Sequence, residues 1–294
     1  MVRGSKVRWK FEADILTLHL TQAMLRSAID SVELGNFLPT LSVASQENHR
    51  ALDLSLDHNQ PKFHWIFRNI DYKKWNSASD SQVLWLSGLP KCNIRQVSSY
   101  IVDQEKNRAE KNRASGREHL VLHFFYSSEI TRGSIAVHTL LNQIVHSSPM
   151  DKRIVIVRRF LHSLLEQTFE KEEAPDWDQR GLSEEDSPDT KIEKLLDASV
   201  DGLWAALGAV LACEQGRELS IIIDGLEYIQ HQRDKVIRGV SSFVEHLQQR
   251  TSMVKILLTS RPLAEIRDIL DWLPCIEHDR ERNGLPISYI LNLD

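Results

Sequence analysis

Cysteine is scarce, cationic charge is not in excess, and no long apolar run occurs anywhere in the 294 residues. Each absence removes a class of protein. The three cysteines, Cys92, Cys213 and Cys275, are far apart, odd in number and without metal-ligand spacing. That argues against a disulfide framework or a zinc module and suits a reducing compartment. A net charge of -5 and a pI near 6.2 provide no polyanion-binding surface, so nucleic acid is set aside as a partner. No segment approaches the roughly 20 apolar residues that span a bilayer. The basic start, Met1 to Lys10, runs into Phe11 to Leu20, which carries Glu12, Asp14 and His19 and is no signal-peptide core. The expectation is a soluble, cytoplasmic protein with no membrane partner.

Metal and nucleophile chemistry is equally thin. The twelve histidines are scattered. His119 and His123 are four apart, but on a strand that spacing holds them about 13 Å apart, too far to share a metal. Cys92 has no surrounding signature of a thiol nucleophile, and no Ser-His-Asp or paired-carboxylate constellation is legible. No internal repeat is visible.

What is there is an ordinary globular balance, 41% hydrophobic and 26% charged, in a chain long enough for one sizeable α/β domain plus an extension. Ile15, Leu18, Leu25, Ile29 and Val32 recur at helical spacing between Phe11 and Leu34, which predicts an amphipathic helix ending near Gly35. A short helical pattern follows from Glu47 to Leu56. The aromatic cluster Phe63, Trp65, Phe67, Tyr72 and Trp75 reads as packing.

Strands then alternate with helices. Strands are predicted at Val83–Ser87, Leu120–Tyr126, Leu219–Asp224, Lys255–Thr259 and Cys275–His278. Helices are predicted at Gln96–Asn107, Ile135–His146, Arg153–Phe169, Val236–Gln249 and Leu263–Leu270, with a helical stripe from Leu196 to Leu211. The polar run Asp103 to Glu118 reads as a solvated helix end and loop, and the acidic stretch 170–190 as a surface loop. Continuous apolar strands separated by helices indicate a parallel sheet covered on both faces. The fold class is therefore α/β, a parallel sheet of about five strands flanked by helices. Residues 1–60 form a helical extension and residues 61–294 the α/β domain.

Three strand ends carry the chemistry. Val83-Leu84-Trp85-Leu86-Ser87-Gly88 is an apolar strand that breaks at a glycine before Leu89-Pro90-Lys91-Cys92-Asn93-Ile94-Arg95. A phosphate-binding loop reads G-x-x-x-x-G-K-[ST]. Set on Gly88, its second Gly falls on Asn93, its Lys on Ile94 and its hydroxyl residue on Arg95. Ile221-Ile222-Ile223-Asp224-Gly225-Leu226-Glu227 is a strand ending in acids, as a magnesium-side carboxylate requires. Alternatively, Asp224 caps the following turn. Lys255 to Pro262 ends in Ser260-Arg261-Pro262, where a guanidinium is suited to a terminal phosphate or simply sits at an exposed turn.

Taken in order, these three ends resemble the NACHT-type signal-transduction ATPases of the STAND class found in fungal incompatibility-type proteins, with a nephrocystin-like N-terminal module. The resemblance runs from Phe37-Leu38-Pro39-Thr40-Leu41 through Phe63-His64-Trp65-Ile66-Phe67, Trp75, Val83 to Pro90, His123-Phe124-Phe125, Ile222 to Leu226 and Leu258 to Pro262. It closes at His278-Asp279 and Ile287-Ser288-Tyr289-Ile290. It implies a P-loop NTPase fold with Mg-ATP or Mg-GTP as ligand. Gly88, Pro90, Lys91, Asn93 and Arg95 would line the phosphates, and Ser260 and Arg261 would flank the terminal one. Asp224 would face the magnesium, and Glu227 would serve as the catalytic acid–base residue.

The departures from that family are severe. Its loop reads G-K-P-G-S-G-K-S, whereas here Gly88 and Pro90 match while Asn93, Ile94 and Arg95 replace the phosphate-contacting positions. Asn93 tolerates the left-handed backbone that glycine would adopt. Ile94 cannot neutralise phosphate, and Arg95 cannot ligate magnesium. The family's D-G-L-D-E becomes Asp224-Gly225-Leu226-Glu227-Tyr228. The expectation is a degenerate NACHT-like scaffold without hydrolysis, acting through protein contacts with an intact relative or with itself. A nucleotide-binding switch, with Lys91 or Arg95 as surrogate charge, is the alternative. A third reading is the remnant of a larger receptor, since the chain closes soon after the fifth strand, before any repeat array.

Overall fold

The computed structural model describes residues 19–39, 64–89, 92–170, 183, 185–197, 200–213, 216–248 and 253–278. Residues 19–30 (α1) and 34–39 (α2) are helical. There follow α3 His64–Arg68, α4 Ile70–Ser77, β1 Gln82–Gly88, α5 Ile94–Ala114, β2 His119–Phe125, α6 Gly133–Ser147 and α7 Met150–Glu170. The chain continues through α8 Pro188–Leu196, α9 Val200–Leu211, β3 Glu218–Asp224, α10 Arg233–Gln248, β4 Val254–Ser260, α11 Ala264–Leu270 and β5 Cys275–His278. All five strands pair in parallel in the order β2-β3-β4-β1-β5. The α/β class, the five strands and the N-terminal helical segment are those the apolar runs predict.

The strand order dictates where the helices lie. From β1 the chain crosses to the far edge at β2, then steps back through β3 and β4 and passes over β1 to reach β5. Right-handed crossovers in opposite directions place their helices on opposite faces. One face carries α3, α4 and α5, with Leu84, Leu86, Phe125, Ile222 and Leu257 beneath Val97, Ile101 and Val102. The other carries α6, α10 and α11 with α7 and α9 behind them, over Val83, Trp85, Phe124, Ile221, Ile223 and Leu258. The chain leaves β1 one way and β4 the other, so these neighbours flank the switch point beside which α/β ligands bind.

Local sequence explains two of the helix starts. Asn69 Oδ1 accepts from Asp71 N and Tyr72 N and caps α4. Ser187 Oγ accepts from Thr190 N, with Pro188 in the first turn of α8. The aromatic cluster is packing among the described residues: Tyr72 and Trp75 are buried, and Trp75 Nε1 donates to Ile256 O at 3.1 Å.

Three differences from the sequence expectation have physical causes. The polar run after Asp103 is mostly helix, because Lys, Glu, Gln and Arg favour helix and the stripe Val97, Ile101, Glu105 continues inward; α5 stops only before Gly116, at φ 75°. The stripe from Leu196 to Leu211 belongs to two helices, Leu196 closing α8 and Val200 opening α9. Phe11 to Leu18 of the expected amphipathic helix lie outside the described residues; the helix ends at residue 30, short of Gly35, with Leu25, Ile29 and the following Val32 docked in the main core, and a separate short helix follows. The helical pattern at Glu47 to Leu56 and most of the acidic stretch lie outside the described residues. Among the described residues no helix is long and apolar enough to cross a membrane.

Candidate functional site

Side chains alternate across a strand, and this alternation sorts the sequence-predicted residues into two groups. Phe125 pairs with Asp224, and Ile223 with Leu258 one step below Thr259. Phe125, Asp224 and Thr259 share the face covered by α5, as Ile222 and Leu257 do two residues earlier. Trp85, Leu258 and Ser260 belong to the opposite face.

Asp224 is the centre of the first group. It is 2% exposed, and its Oδ1 accepts two short hydrogen bonds, from Thr259 Oγ1 at 2.6 Å and from Ser98 Oγ at 2.7 Å. Burial pushes its carboxyl above the usual range, opposed by the Thr259 hydrogen bond, the nearby Arg95 cation and Ser98. Arg95 is in the first turn of α5 with its guanidinium carbon 5.9 Å from the Phe125 ring centroid, within cation–π range. Its Nη2 is buried and has no hydrogen-bond partner among the described residues.

The loop entering α5 keeps its turn. Asn93 adopts φ 53° and ψ 38°, the left-handed conformation foreseen for a residue in glycine's place. No side chain caps the helix start there. Gly88 is buried and pairs in register with His278. Pro90 and Lys91 lie outside the described residues.

Glu227 and Arg261 form the next layer. Glu227 follows Asp224 after Gly225, whose φ of 82° turns the chain out of β3 into the short 3₁₀ segment Leu226–Tyr228. Glu227 Oε1 is 3.5 Å from Arg261 Nε, and its Oε2 accepts from Arg261 N at 3.2 Å. Arg261 also stacks over Tyr228 at 5.6 Å. Burial raises the Glu227 carboxyl, and the Asp224 charge adds to the rise. Ser260 is engaged elsewhere. Its Oγ accepts from Trp85 Nε1 at 2.9 Å and donates to Arg261 O at 2.9 Å. The structure therefore gathers Asn93, Arg95, Asp224, Glu227 and Arg261 at the carboxyl ends of β1, β3 and β4, and turns Ser260 to the other side.

Ser98 and Thr259 are the residues that sequence reasoning missed. Thr259 was visible as the last apolar-strand position two residues before Arg261. Ser98, three residues after Arg95 on a helix, faces the same side by helical spacing.

Magnesium does not fit this arrangement. The ion takes six oxygen ligands in near-ideal octahedral geometry. Here Asp224 Oδ1 already accepts from two hydroxyls, and position 95 offers a cation in place of an oxygen. No group of three or more His, Cys, Asp or Glu side chains able to hold a metal occurs among the described residues. Cys275, pushed up to about 12 by burial, holds no thiolate near neutral pH.

A second buried polar cluster lies two turns further along α5. Glu105, 2% exposed, accepts from Ser220 Oγ at 2.7 Å and is 3.7 Å from His119 Nε2. Arg108 pairs with Glu218 at 2.6 Å, and Lys255, fully buried, donates to Asn76 O.

The family model described as Nephrocystin 3, N-terminal, matches residues 62–158, from just before α3 into α7. It thus covers β1, the loop with Asn93 and Arg95, α5, β2 and α6, and leaves β3 and β4 outside. No curated protein and no solved structure matches the chain.

Proposed function

We propose that this chain is a NACHT-type P-loop fold that no longer hydrolyses nucleotide and acts as a scaffold through protein contacts, with an intact relative or a second copy of itself as partner. The observation that carries the reading is the state of Asp224. Its Oδ1 already accepts from Ser98 and Thr259, and Arg95 takes the position from which a hydroxyl would hold magnesium. Glu227, the residue that would handle the attacking water, is committed to Arg261. The similarity of residues 62–158 to the nephrocystin module agrees with the nephrocystin-like part of the resemblance. The division at residue 60, the cytoplasmic location and the fungal NACHT kinship belong to the same proposal.

The test is the melting temperature of the purified protein with Mg-ATP, Mg-ADP and Mg-GTP. A ligand at 100 times its dissociation constant stabilises a fold by about 2.7 kcal/mol. The expected result is no shift at millimolar nucleotide. Self-association measured by light scattering then decides whether the partner is a second copy.

A second reading, a nucleotide-binding switch, is favoured by one feature. Asn93 keeps the left-handed turn, and the start of α5 has no side-chain cap, so backbone N–H groups are presented as a phosphate loop presents them. A magnesium-dependent shift abolished by Asp224→Ala would establish the switch and retire the scaffold.

A further inference from the structure

We infer that the Arg95 guanidinium is a resident cation that takes the place of magnesium beside Asp224, so that this end of the sheet is charge-balanced without a metal. The inference uses the proposed phosphate-loop reading only to say why a metal would be expected there. The placement of Arg95 itself stands on geometry.

Strand alternation puts Phe125 and Asp224 side by side on the face under α5. Arg95 and Ser98 are three apart on that helix and so face the same way. Ser98 reaches Asp224 Oδ1 at 2.7 Å, which fixes the first turn of α5 over the acid. Arg95 lies over Phe125, the register partner of Asp224. Its buried Nη2 shows that the guanidinium points inward and not into solvent. An isolated carboxylate this deeply buried would be costly, and a fixed cation beside it lowers that cost. Guanidinium is the cation suited to the role, since it stays charged when desolvated and stacks on an aromatic face.

The neighbouring groups complete the balance. The acids at this end are Asp224 on β3 and Glu227 in the turn after it. The cations are Arg95 on α5 and Arg261 after β4, and Arg261 is held by Glu227. Two acids thus face two guanidiniums. A divalent ion added to this set would meet two fixed positive charges and a carboxylate oxygen, Asp224 Oδ1, that already accepts two hydrogen bonds.

The test is a charge-reversible cycle in the full chain, read as melting temperature with MgCl₂ or EDTA and no nucleotide. The variants are R95K, R95Q, D224N and R95Q/D224N. The wild type is expected to melt at the same temperature with and without magnesium. R95K should lose less than R95Q, because the charge is kept while the stack on Phe125 is not. R95Q should lose several degrees, and adding D224N should recover most of that loss. If R95Q does not fold, recovery of a folded protein in R95Q/D224N supports the assignment, and its continued failure overturns it. An R95Q loss that D224N leaves untouched means that Arg95 only packs, and the assignment falls. A magnesium-dependent rise in the wild type overturns it directly. Metal-free binding of nucleotide by the wild type would defeat the scaffold reading and leave the Arg95 assignment standing.

Discussion

Ser98 and Glu105 lie two turns apart on one face of α5, and each is hydrogen-bonded to a side chain of β3 at 2.7 Å, Ser98 to Asp224 and Glu105 to Ser220. Between them Ile101 and Val102 pack on Phe125 and Ile222. The helix is therefore pinned near its start and at its middle by buried polar contacts, with apolar ones between them. Hydrophobic packing alone tolerates sliding along the strands. Two directional bonds seven residues apart fix the helix position, and with it the placement of Arg95.

Glu105→Ala tests the lower pin. It leaves Ser220 without its carboxylate acceptor and deprives Arg108 of one of its acids inside a buried cluster. Breaking a buried pair from one side typically costs about 3–5 kcal/mol. Urea unfolding should show a loss of that order, with Glu105→Gln losing less because its side-chain oxygen still accepts from Ser220. A loss within error for both would mean that the cluster does not hold the helix.

The same cluster predicts a pH dependence. Burial pushes His119 down to about 4, with Arg108 and Lys255 adding to the fall and Glu105 opposing it. The folded state thus keeps the imidazole neutral, while the unfolded chain takes up a proton below about pH 6.5. Where the unfolded state binds more protons, stability rises with pH. The contribution is fully present above about 6.5 and is lost as the pH falls to about 4, a swing of roughly 2–3 kcal/mol. His119→Asn should flatten the wild-type curve over that interval. His138, also buried and near 4, keeps part of the slope in the variant.

Gly225 is a backbone requirement. Its φ is 82°, and a Cβ there would stand 3.0 Å from Tyr126 O, a backbone atom that cannot move away cheaply. The residue also turns the chain so that Glu227 meets Arg261. Gly225→Ala should cost about 1–3 kcal/mol through left-handed strain and crowding. Thermal unfolding measures it. An unchanged melting temperature would mean that the turn relaxes freely.

Asn93 gives the opposite sign. It is a non-glycine residue at φ 53° with no compensating side-chain cap. Asn93→Gly should be neutral or stabilise by a few tenths of a kcal/mol, whereas Asn93→Ala should cost about 1 kcal/mol. Paired denaturation curves decide it, and equal stability of the two variants would argue against a required left-handed turn.

These residues also show what the sequence made legible. Four of the strands are readable as largely apolar runs, and the short fifth, Cys275–His278, has the bounds the sequence predicts. Asp224 and Arg261 could be located because each ends such a run. The partners of Asp224 were not readable. Ser98 lies 126 residues from it in the chain, and no local pattern records a contact made by sheet order and helix register. The lower cluster was missed for the same reason. Glu105 sits in a highly charged stretch, and only the folded helix shows that one of those charges faces the sheet. Charge runs predict solvated surfaces on average and fail where a long helix turns a single acid inward.

Ser260 separates a structural from a binding role. Parity along β4 turns it away from Asp224, and its hydroxyl accepts the Trp85 indole N–H at 2.9 Å inside the core. Removing the acceptor leaves a buried donor unpaired, which costs about 1–3 kcal/mol. Ser260→Ala should therefore lower stability by that amount, and Trp85→Phe in the same background should add less than it does alone, because the shared bond is already lost. A terminal-phosphate role would give the reverse pattern: stability kept, and any nucleotide-dependent shift in melting temperature reduced. Coupling between the two substitutions, measured in the absence of ligand, assigns Ser260 to the core and leaves Arg261 as the one of this pair that meets Glu227.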